Sequence, residues 1–206
     1  MSCISNKNLH VGLPKTRSSQ SHSSSLSFLS RFLNKTIDKP KLFYTDGKDY
    51  NFYLLKSRDI PQLVVEGKLD IGITLSEWVE EKESKVDIVG EVDWCFTRIS
   101  LIIKNGDSLS KQNQITCVTE YCNLAHKYFK KKKLKNVKII LLSGSIEGLI
   151  PNIFSCGVEC VETGNTLKNH ALYEEEIILN SKTVIITKKN QDISKFNFIL
   201  KAIKNI

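Results

Sequence analysis

The chain has 206 residues, of which 41% are hydrophobic and 25% charged, and 30 basic side chains against 22 acidic ones give a net charge of +8. These values are ordinary for a soluble folded protein and exclude a collagen, a coiled coil and a wholly disordered chain. The longest apolar stretches, such as Val137–Leu142, fall far below the roughly 20 residues of a membrane helix, so we expect no bilayer-spanning segment.

The first element is predicted inside a serine-rich stretch, Met1–Ile37, that contains no acidic residue. This composition is shared with organelle transit peptides. We favour the alternative that the stretch belongs to the fold, because Leu9–Leu13 is an apolar strand and Leu26–Leu33 carries leucines at helical spacing. The serine tract Ser18–Ser25 is then predicted to be the loop between them, a position at which α/β folds commonly meet ligands.

A β-hairpin and a helix come next. Lys41–Thr45 and Asn51–Leu55 are strand-like, and the Asp-Gly turn between them is a strong hairpin signal. Ser57–Glu66 predicts a helix that ends at Gly67. The following predicted elements are strand Leu69–Thr74, helix Ser76–Lys82, and strands Val86–Glu91 and Trp94–Lys104.

Strands and helices then alternate after a polar break at Asn105–Asn113. Repeated βα units of this kind predict a parallel sheet flanked by helices. The predicted elements are strand Ile115–Thr119, helix Asn123–Lys131, strand Val137–Leu142, helix Ile146–Ile153, strand Val158–Val161, helix Thr166–Leu172, strands Glu176–Leu179 and Thr183–Thr187, and helix Ile193–Ile203.

The pattern as a whole predicts an α/β protein with two lobes. Residues 1–107 together with 180–206 form lobe I, because the last elements are expected to return to the first lobe, and residues 108–179 form lobe II. A cleft between two such lobes is the default ligand site.

The cysteines and histidines argue against a metal site. No apolar signal segment precedes the six cysteines, so we expect reduced thiols in a cytoplasmic protein. The pairs Cys117/Cys122 and Cys156/Cys160 lack the two-residue spacing of a zinc knuckle, and small buried apolar residues are the favoured interpretation. The four histidines stand singly, so no protein-ligated metal is expected.

A lysine cluster at Lys130–Lys133 invites a nucleic-acid function. The favoured interpretation is that these lysines complement the C-terminal end of a helix dipole. No nucleic-acid-binding motif accompanies them, so we expect no nucleic-acid partner. A basic surface also attracts phosphorylated metabolites.

The window Gly157–Leu167 is the strongest local signal of a ligand site. An apolar strand runs into the turn Thr163-Gly164-Asn165-Thr166, which opens a helix. Backbone N–H groups converge there, glycine permits a positive φ, and the helix start is electropositive, so the turn can hold a phosphate. The alternative is an ordinary capped helix start.

Acidic residues accompany this turn. Glu159 and Glu162 would be poorly placed beside a bare phosphate, yet carboxylates suit ribose hydroxyls or a phosphate-bound Mg²⁺. The combination indicates a sugar phosphate that carries pyrophosphate.

Five blocks of residues, in the same order as in a known family, cover nearly the whole chain. They are Leu13-Pro14-Lys15 with Arg17, Asp59-Ile60-Pro61 leading to Gly67 through Ile73, Tyr121 through Leu124 with Tyr128-Phe129, Gly144 through Glu147, and Val161 through Leu167. With these blocks the chain resembles the catalytic subunit of ATP phosphoribosyltransferase, in its short form. The resemblance implies two α/β lobes of periplasmic-binding-protein type II-like architecture.

The resemblance also implies an activity, that of a pentosyltransferase. In the family, N1 of ATP attacks C1 of phosphoribosyl pyrophosphate in a Mg²⁺-dependent reaction that opens histidine biosynthesis. The protein's task there is mainly electrostatic, because negative charge grows on the departing pyrophosphate and positive charge on the ribose. Lobe I is then the ATP side with the dimer contacts, and lobe II binds phosphoribosyl pyrophosphate.

Site residues follow from the resemblance. Lys15, Arg17 and Lys56 are the catalytic cations expected to meet the phosphate charge. The predicted substrate-binding residues are Thr163, Gly164, Asn165 and Thr166 at the 5′-phosphate, Glu159 and Glu162 at the ribose hydroxyls, and Glu147 lining the same cleft. For Glu147, a carboxylate at a helix N-terminus is an equally weighted alternative.

Some positions depart from the family pattern. Thr16 and Leu75 stand where glycine is usual, Lys56 replaces an arginine and loses its bidentate fork, and Glu159 replaces an aspartate. The alternative function is therefore a non-catalytic two-lobe homologue that binds a phosphorylated metabolite.

Partners are also implied by the resemblance. The chain ends at Ile206 without the regulatory domain of the long form, so we expect a homodimer and a separate regulatory subunit related to histidyl-tRNA synthetase. Trp78 and Trp94 are candidates for an interface, with core packing as the favoured alternative.

Overall fold

The computed structural model describes residues 8–15 and 19–204, and the mixture of helices and strands confirms the predicted α/β class. Its strands are β1 Leu9–Pro14, β2 Phe43–Thr45, β3 Tyr50–Leu55, β4 Ile71–Leu75, β5 Val86–Lys104, β6 Ile115–Thr119, β7 Val137–Leu141, β8 Cys156–Val161 and β9 Leu172–Lys188. Its α-helices are α1 Ser19–Phe32, α2 Ile60–Val65, α3 Ser76–Glu81, α4 Cys122–Lys131, α5 Asn165–Asn169 and α6 Asn197–Lys204. Single 3₁₀ turns lie at Ser57–Asp59, Leu109–Lys111, Glu147–Leu149 and Ser194–Phe196.

The chain divides into two units. Unit 1 comprises Met1–Cys95 and Lys182–Ile206, and unit 2 comprises Phe96–Ser181. The sequence alone predicts these divisions near residues 107 and 180, and the substrate roles assigned to the two lobes stay predictions.

Unit 1 is built on the strand order β2-β3-β1-β4-β9. Strand β1 lies parallel to both β3 and β4, while β2 pairs antiparallel with β3, which confirms the predicted hairpin. The hairpin turn is closed by Asp46, whose Oδ1 accepts the backbone N–H groups of Lys48, Asp49 and Tyr50 at 2.9 to 3.0 Å. An apolar core that includes Val11, Phe28, Ile73, Trp94, Phe196 and Ile199 packs on this sheet.

The serine tract is helical, so the predicted loop at Ser18–Ser25 is wrong from Ser19 onward. The Ser25 hydroxyl donates a hydrogen bond to the carbonyl of Ser21, one helical turn earlier, at 3.0 Å. It also donates to the carbonyl of Pro14, the last residue of β1, at 2.8 Å. Ser21 and Ser25 are fully buried. Small side chains and the two hydrogen bonds of Ser25 therefore allow this helix to pack closely, against the weak helix propensity of serine.

Unit 2 has the strand order β5-β8-β6-β7. Strand β6 lies parallel to β7 and β8, as the βα repeat predicts, and β5 is antiparallel to β8. The predicted helix Ile146–Ile153 is wrong, since only the 3₁₀ turn Glu147–Leu149 forms there. Gly148 weakens a helix, and Pro151 cannot donate the backbone hydrogen bond that would continue one.

Strands β5 and β9 are each continuous where the sequence predicts two strands separated by a break. Asp93 and Asn180 mark the predicted breaks, and both are exposed, whereas Trp94 and Ser181 beside them are buried. Alternating exposure is what a strand with one solvated face requires, so the polar residues do not interrupt the strands.

The predicted burial is confirmed for two of the four paired cysteines and for both tryptophans, whereas Cys122 and Cys160 are only partly buried. Cys117 and Cys156 are fully buried register partners on β6 and β8. The Cys117 thiol donates to the carbonyl of Val118 and the Cys156 thiol to that of Thr116, each at 3.9 Å. The neighbouring Cys156 thiol and burial raise the pKa of Cys117. Trp78 and Trp94 are 7% and 3% exposed, so they pack in the core and do not form an exposed patch. No helix in the described part of the chain has the length and apolarity needed to cross a membrane.

Candidate functional site

The predicted phosphate turn lies between the end of β8 and the start of α5. Gly164 caps the helix with φ +76° and ψ 5°, which confirms the left-handed conformation predicted for it. The side chains of Thr163, Asn165 and Thr166 are exposed. The backbone N–H of Asn165 points to Thr163 Oγ1 at 3.5 Å. The turn therefore presents two hydroxyl side chains and one amide side chain to solvent on a short, sharply bent segment.

An arginine on β5 that no sequence motif marks as a site residue forms a hydrogen bond to this turn. Arg98 is the register partner of Val161, the last residue of β8, and its Nη1–H donates to the carbonyl of Glu162 at 3.0 Å. Its Nε–H and Nη2–H donate to the two carboxylate oxygens of Glu174 at 2.7 and 2.6 Å. Ser100 adds a hydroxyl bond to Glu174 at 2.8 Å. The signal in the sequence was a lone charged residue in an apolar strand, which needs a partner when it is partly buried.

Arg98 and Glu174 each stabilise the charged form of the other. The Arg98 hydrogen bonds lower the pKa of the Glu174 carboxyl below its ordinary value, against the opposing effect of burial, and Ser100 adds to the lowering. The same bonds to Glu174 raise the pKa of Arg98. Both groups are therefore ionised at neutral pH, and the bidentate geometry is the strong form of an ion pair.

Glu159 and Glu162 lie at successive points on the way into the turn. Glu159 is half-buried on β8, where it pairs with Ser100 of β5, and its Oε1 accepts the N–H of Cys160 at 2.9 Å. Glu162 follows the strand with an exposed side chain. These placements put carboxylates directly before the turn, and the predicted ribose contacts stay predictions.

Glu147 is placed by a close approach of its 3₁₀ turn to β8. A Cβ added at Gly157 would lie 2.6 Å from Ile146 Cδ1 and 2.8 Å from Ile150 Cδ1, so only glycine admits this packing. Alternation along the strand puts Glu159 on the same face of β8 as Gly157. The Oε2 atom of Glu147 is buried and has no hydrogen-bond partner among the residues that the structure describes. Buried carboxylate oxygens normally accept a hydrogen bond. The hydroxyl group of a ligand is a suitable donor for this one.

In unit 1, two of the predicted cations emerge at one edge of the sheet. Pro14 and Leu55 end the parallel strands β1 and β3 as register partners, and Lys15 and Lys56 come directly after them. The N–H of Lys15 donates to the carbonyl of Leu55 at 2.5 Å. Both lysine side chains are exposed, and neither forms an ion pair within residues 8–15 and 19–204.

The segment after Lys56 is fixed by a neighbouring strand. Thr74 on β4 donates its hydroxyl to the carbonyl of Ser57 at 2.8 Å. Arg17, the third predicted cation, lies outside the described residues, as does Thr16. The structure thus places Glu159 and Glu162 on the strand and turn that lead to residues 163–166, and the 3₁₀ turn of Glu147 against Gly157 of the same strand, all in unit 2. It places Lys15 and Lys56 at neighbouring strand ends in unit 1.

Comparisons of the sequence with known proteins all identify the same family. The family model for ATP phosphoribosyltransferase (HisG) matches residues 56–206. An ATP phosphoribosyltransferase from Campylobacter fetus is 32% identical over 195 residues, which cover 93% of this chain and 94% of that protein. One from Sulfurisphaera tokodaii is 29% identical over 181 residues; they cover 83% of this chain and only 63% of that longer relative.

A solved structure shares the fold. The chain is similar to one from the ATP phosphoribosyl transferase (HisG:HisZ) complex of Thermotoga maritima, with a TM-score of 0.79 and 20% sequence identity. The match covers 96% of this chain and 97% of that one. At this identity the likeness shows a common fold over almost the full length of both chains.

Proposed function

Since the chain belongs to the ATP phosphoribosyltransferase family, we propose that it transfers the phosphoribosyl group of phosphoribosyl pyrophosphate to N1 of ATP and releases pyrophosphate. This pentosyl transfer is the first step of histidine biosynthesis. The observation that carries the proposal is the left-handed Gly164 turn between β8 and α5, in the block Val161–Leu167. No contact among the described residues favours the alternative of a non-catalytic binding protein.

Unit 2 is proposed to bind the phosphoribosyl end of the substrate. Thr163 and Thr166 donate hydroxyl hydrogen bonds to the 5′-phosphate, together with the backbone N–H groups of the turn. Glu159 and Glu147 accept hydrogen bonds from the ribose hydroxyls, and the unpartnered Oε2 of Glu147 supports this role. Carboxylates beside the ribose also stabilise the positive charge that develops on the sugar as the pyrophosphate departs.

Unit 1 is proposed to neutralise the leaving group. Lys15 and Lys56 follow paired strand ends, and Arg17, which lies outside the described residues, comes two residues after Lys15 in the sequence. Positive side chains attract the pyrophosphate more strongly as its negative charge grows. This stronger attraction lowers the barrier to bond cleavage. N1 of adenine attacks with its own lone pair, so the proposal requires no general base.

Magnesium is proposed to enter with the substrate. Among the described residues no group of three or more His, Cys, Asp and Glu side chains could hold a metal ion, so most ligands would come from phosphate oxygens and water. Glu162, exposed beside the turn, is the residue suited to complete such a shell, because Mg²⁺ in phosphate sites takes one or two carboxylates. When bound, Mg²⁺ supplies positive charge to the pyrophosphate.

A regulatory partner is part of the proposal. The Thermotoga maritima chain that shares this fold comes from a HisG:HisZ complex, and this chain covers nearly all of it. We therefore propose a cytoplasmic hetero-oligomer in which a homodimer of this chain joins a regulatory subunit related to histidyl-tRNA synthetase.

The test is an absorbance assay for phosphoribosyl-ATP from ATP, phosphoribosyl pyrophosphate and Mg²⁺. The wild-type chain is expected to be active, and Thr166→Ala is expected to lose about 10-fold to 100-fold in kcat/KM, the cost of one strong phosphate hydrogen bond. Asn169→Ala, an exposed change at the other end of α5, is the matched control and should keep wild-type activity. An inactive wild type, with and without a regulatory subunit, would refute the proposed transfer.

A further inference from the structure

The bonds of Arg98 determine which way one peptide group of the phosphate turn faces. Its Nη1–H donates to the carbonyl of Glu162, and that carbonyl belongs to the peptide that joins Glu162 to Thr163. A trans peptide is planar, with its C=O and N–H pointing to opposite sides. Holding the carbonyl on Arg98 therefore directs the N–H of Thr163 to the opposite side of the turn.

The other two bonds keep the guanidinium in position. Nε–H and Nη2–H bind Glu174 as a fork, and Ser100 fixes one of the same carboxylate oxygens. Glu174 lies 76 residues from Arg98 in sequence, on β9. The guanidinium thus links three strands, since Arg98 is on β5 and its third acceptor follows β8.

Glu174 also brings negative charge to the turn. Its Oε1 lies 3.9 Å from the position that a Cβ on Gly164 would occupy. A bare carboxylate beside the turn would repel a phosphate bound there, with an energy set by the distance between the charges and the local dielectric. Pairing with Arg98 offsets that charge without removing the anchor.

We propose that Arg98 is a positioning residue of the phosphate turn, with Glu174 as its anchor, and that together they set the affinity for phosphoribosyl pyrophosphate. This inference rests on the proposed function and deepens it. Lysine cannot take the place of Arg98, because one ammonium lacks the planar fork that reaches Glu174 and the Glu162 carbonyl simultaneously. The role is specific to one substrate, so the KM for ATP should not depend on it.

The test compares Arg98→Lys and Glu174→Gln with a matched control. Lys132→Met removes another ion pair of β9 in unit 2, the 2.7 Å contact between Lys132 and Glu176, without touching the turn. Steady-state kinetics with the assay above should show that Arg98→Lys raises the KM for phosphoribosyl pyrophosphate about tenfold while the KM for ATP changes less than about twofold. Glu174→Gln keeps one acceptor and should give a smaller rise in the same KM, and Lys132→Met should leave both KM values unchanged.

Hydrogen–deuterium exchange of the free protein provides a readout that does not depend on activity. In Arg98→Lys the amides of residues 162–169 should exchange faster than in the wild type, while those of β6 and β7 keep their rates. In Lys132→Met the amides of residues 162–169 should keep wild-type rates.

Three outcomes would overturn the inference. One is unchanged exchange at residues 162–169 in both Arg98→Lys and Glu174→Gln. Another is a rise in both KM values together with a fall in Tm, which indicates general loss of structure. The third is equal effects of Arg98→Lys and Lys132→Met. An inactive wild type would refute the proposed function alone, and the exchange measurement would then decide the role of Arg98.

Discussion

Pro14 and Leu55 are register partners at the ends of two parallel strands, and the residue after Pro14 donates its N–H to the carbonyl of Leu55. The chain therefore leaves both strands at one level of the unit 1 sheet. Lys15 and Lys56 are the residues that follow. Backbone pairing thus places two basic residues that are 41 positions apart in sequence at neighbouring strand ends.

This relationship predicts how substitutions at Lys56 behave. Lys56→Met should lower kcat/KM for the transfer by about tenfold or more, because a cation is lost where negative charge develops in the transition state. Lys56→Arg should retain activity, since the charge remains and a planar fork is added. Steady-state kinetics measure both, with Lys82→Met, an exposed change directly after α3, as the control for loss of a surface charge. Equal kinetics for Lys56→Met and Lys82→Met would contradict the assignment.

We predict that substitution of Gly164 is destabilising because its backbone is in the left-handed conformation. Its φ is +76°, and an added Cβ would have 3.9 Å to its nearest neighbours, so Gly164→Ala meets strain and no clash. A left-handed alanine costs about 1–2 kcal/mol, which thermal or urea unfolding can measure. Gly106→Ala, at φ +86° with open space around it, should lose similar stability and keep the wild-type KM for phosphoribosyl pyrophosphate. If Gly164→Ala also leaves that KM unchanged, the turn does not bind the phosphate.

We predict that Gly157 does not tolerate a larger residue, because an added side chain would contact its neighbours too closely and not because of its backbone conformation. Gly157→Ala would push a methyl group against Ile146 and Ile150 and should destabilise the protein by about 1–3 kcal/mol. Ile146→Val removes the methyl group that lies closest, so the double variant should recover part of the loss. A double-mutant cycle by urea denaturation measures this coupling. Strictly additive changes in the free energy of unfolding would show that the two side chains do not interact.

The Arg98–Glu174 ion pair predicts a pH dependence of stability. The pKa of Glu174 lies below its ordinary value of 4.5 in the folded protein. The unfolded chain then binds more protons, so the contribution of this group is present above about pH 4.5 and is lost as the pH falls through the lowered folded pKa. Glu174→Gln lacks the titrating group, so its deficit in unfolding free energy should be largest near neutral pH and shrink below pH 4.5. Urea unfolding at several pH values measures it, and a deficit that grows in acid would contradict the prediction.

Much of the fold could be predicted because its signals are local. The hairpin at Asp46, the stop at Gly67 and the βα alternation of unit 2 depend on residues within one turn or one strand of each other. The same holds for the phosphate turn, where the positive φ of Gly164 is required by a short strand-to-helix connection. The five blocks that identify the family are local as well.

Other features were settled only by tertiary structure. The serine segment is helical because Ser25 reaches the carbonyl of Pro14 and packs without bulk, and propensity alone argues for a loop. The predicted helix after Gly144 shortens to one turn, with Ile146 and Ile150 seated over Gly157.

The sequence by itself determined the residue types of the proposed site, the left-handed bend at Gly164, and the family. Only the tertiary structure decided that Arg98 is bound to Glu174, that Glu147 keeps a carboxylate oxygen without a partner among the described residues, and that Lys15 lies beside Lys56. The reason is physical: spacing along a chain encodes the period of a helix or strand, whereas contacts between distant residues depend on strand register and on which face of a sheet each side chain occupies.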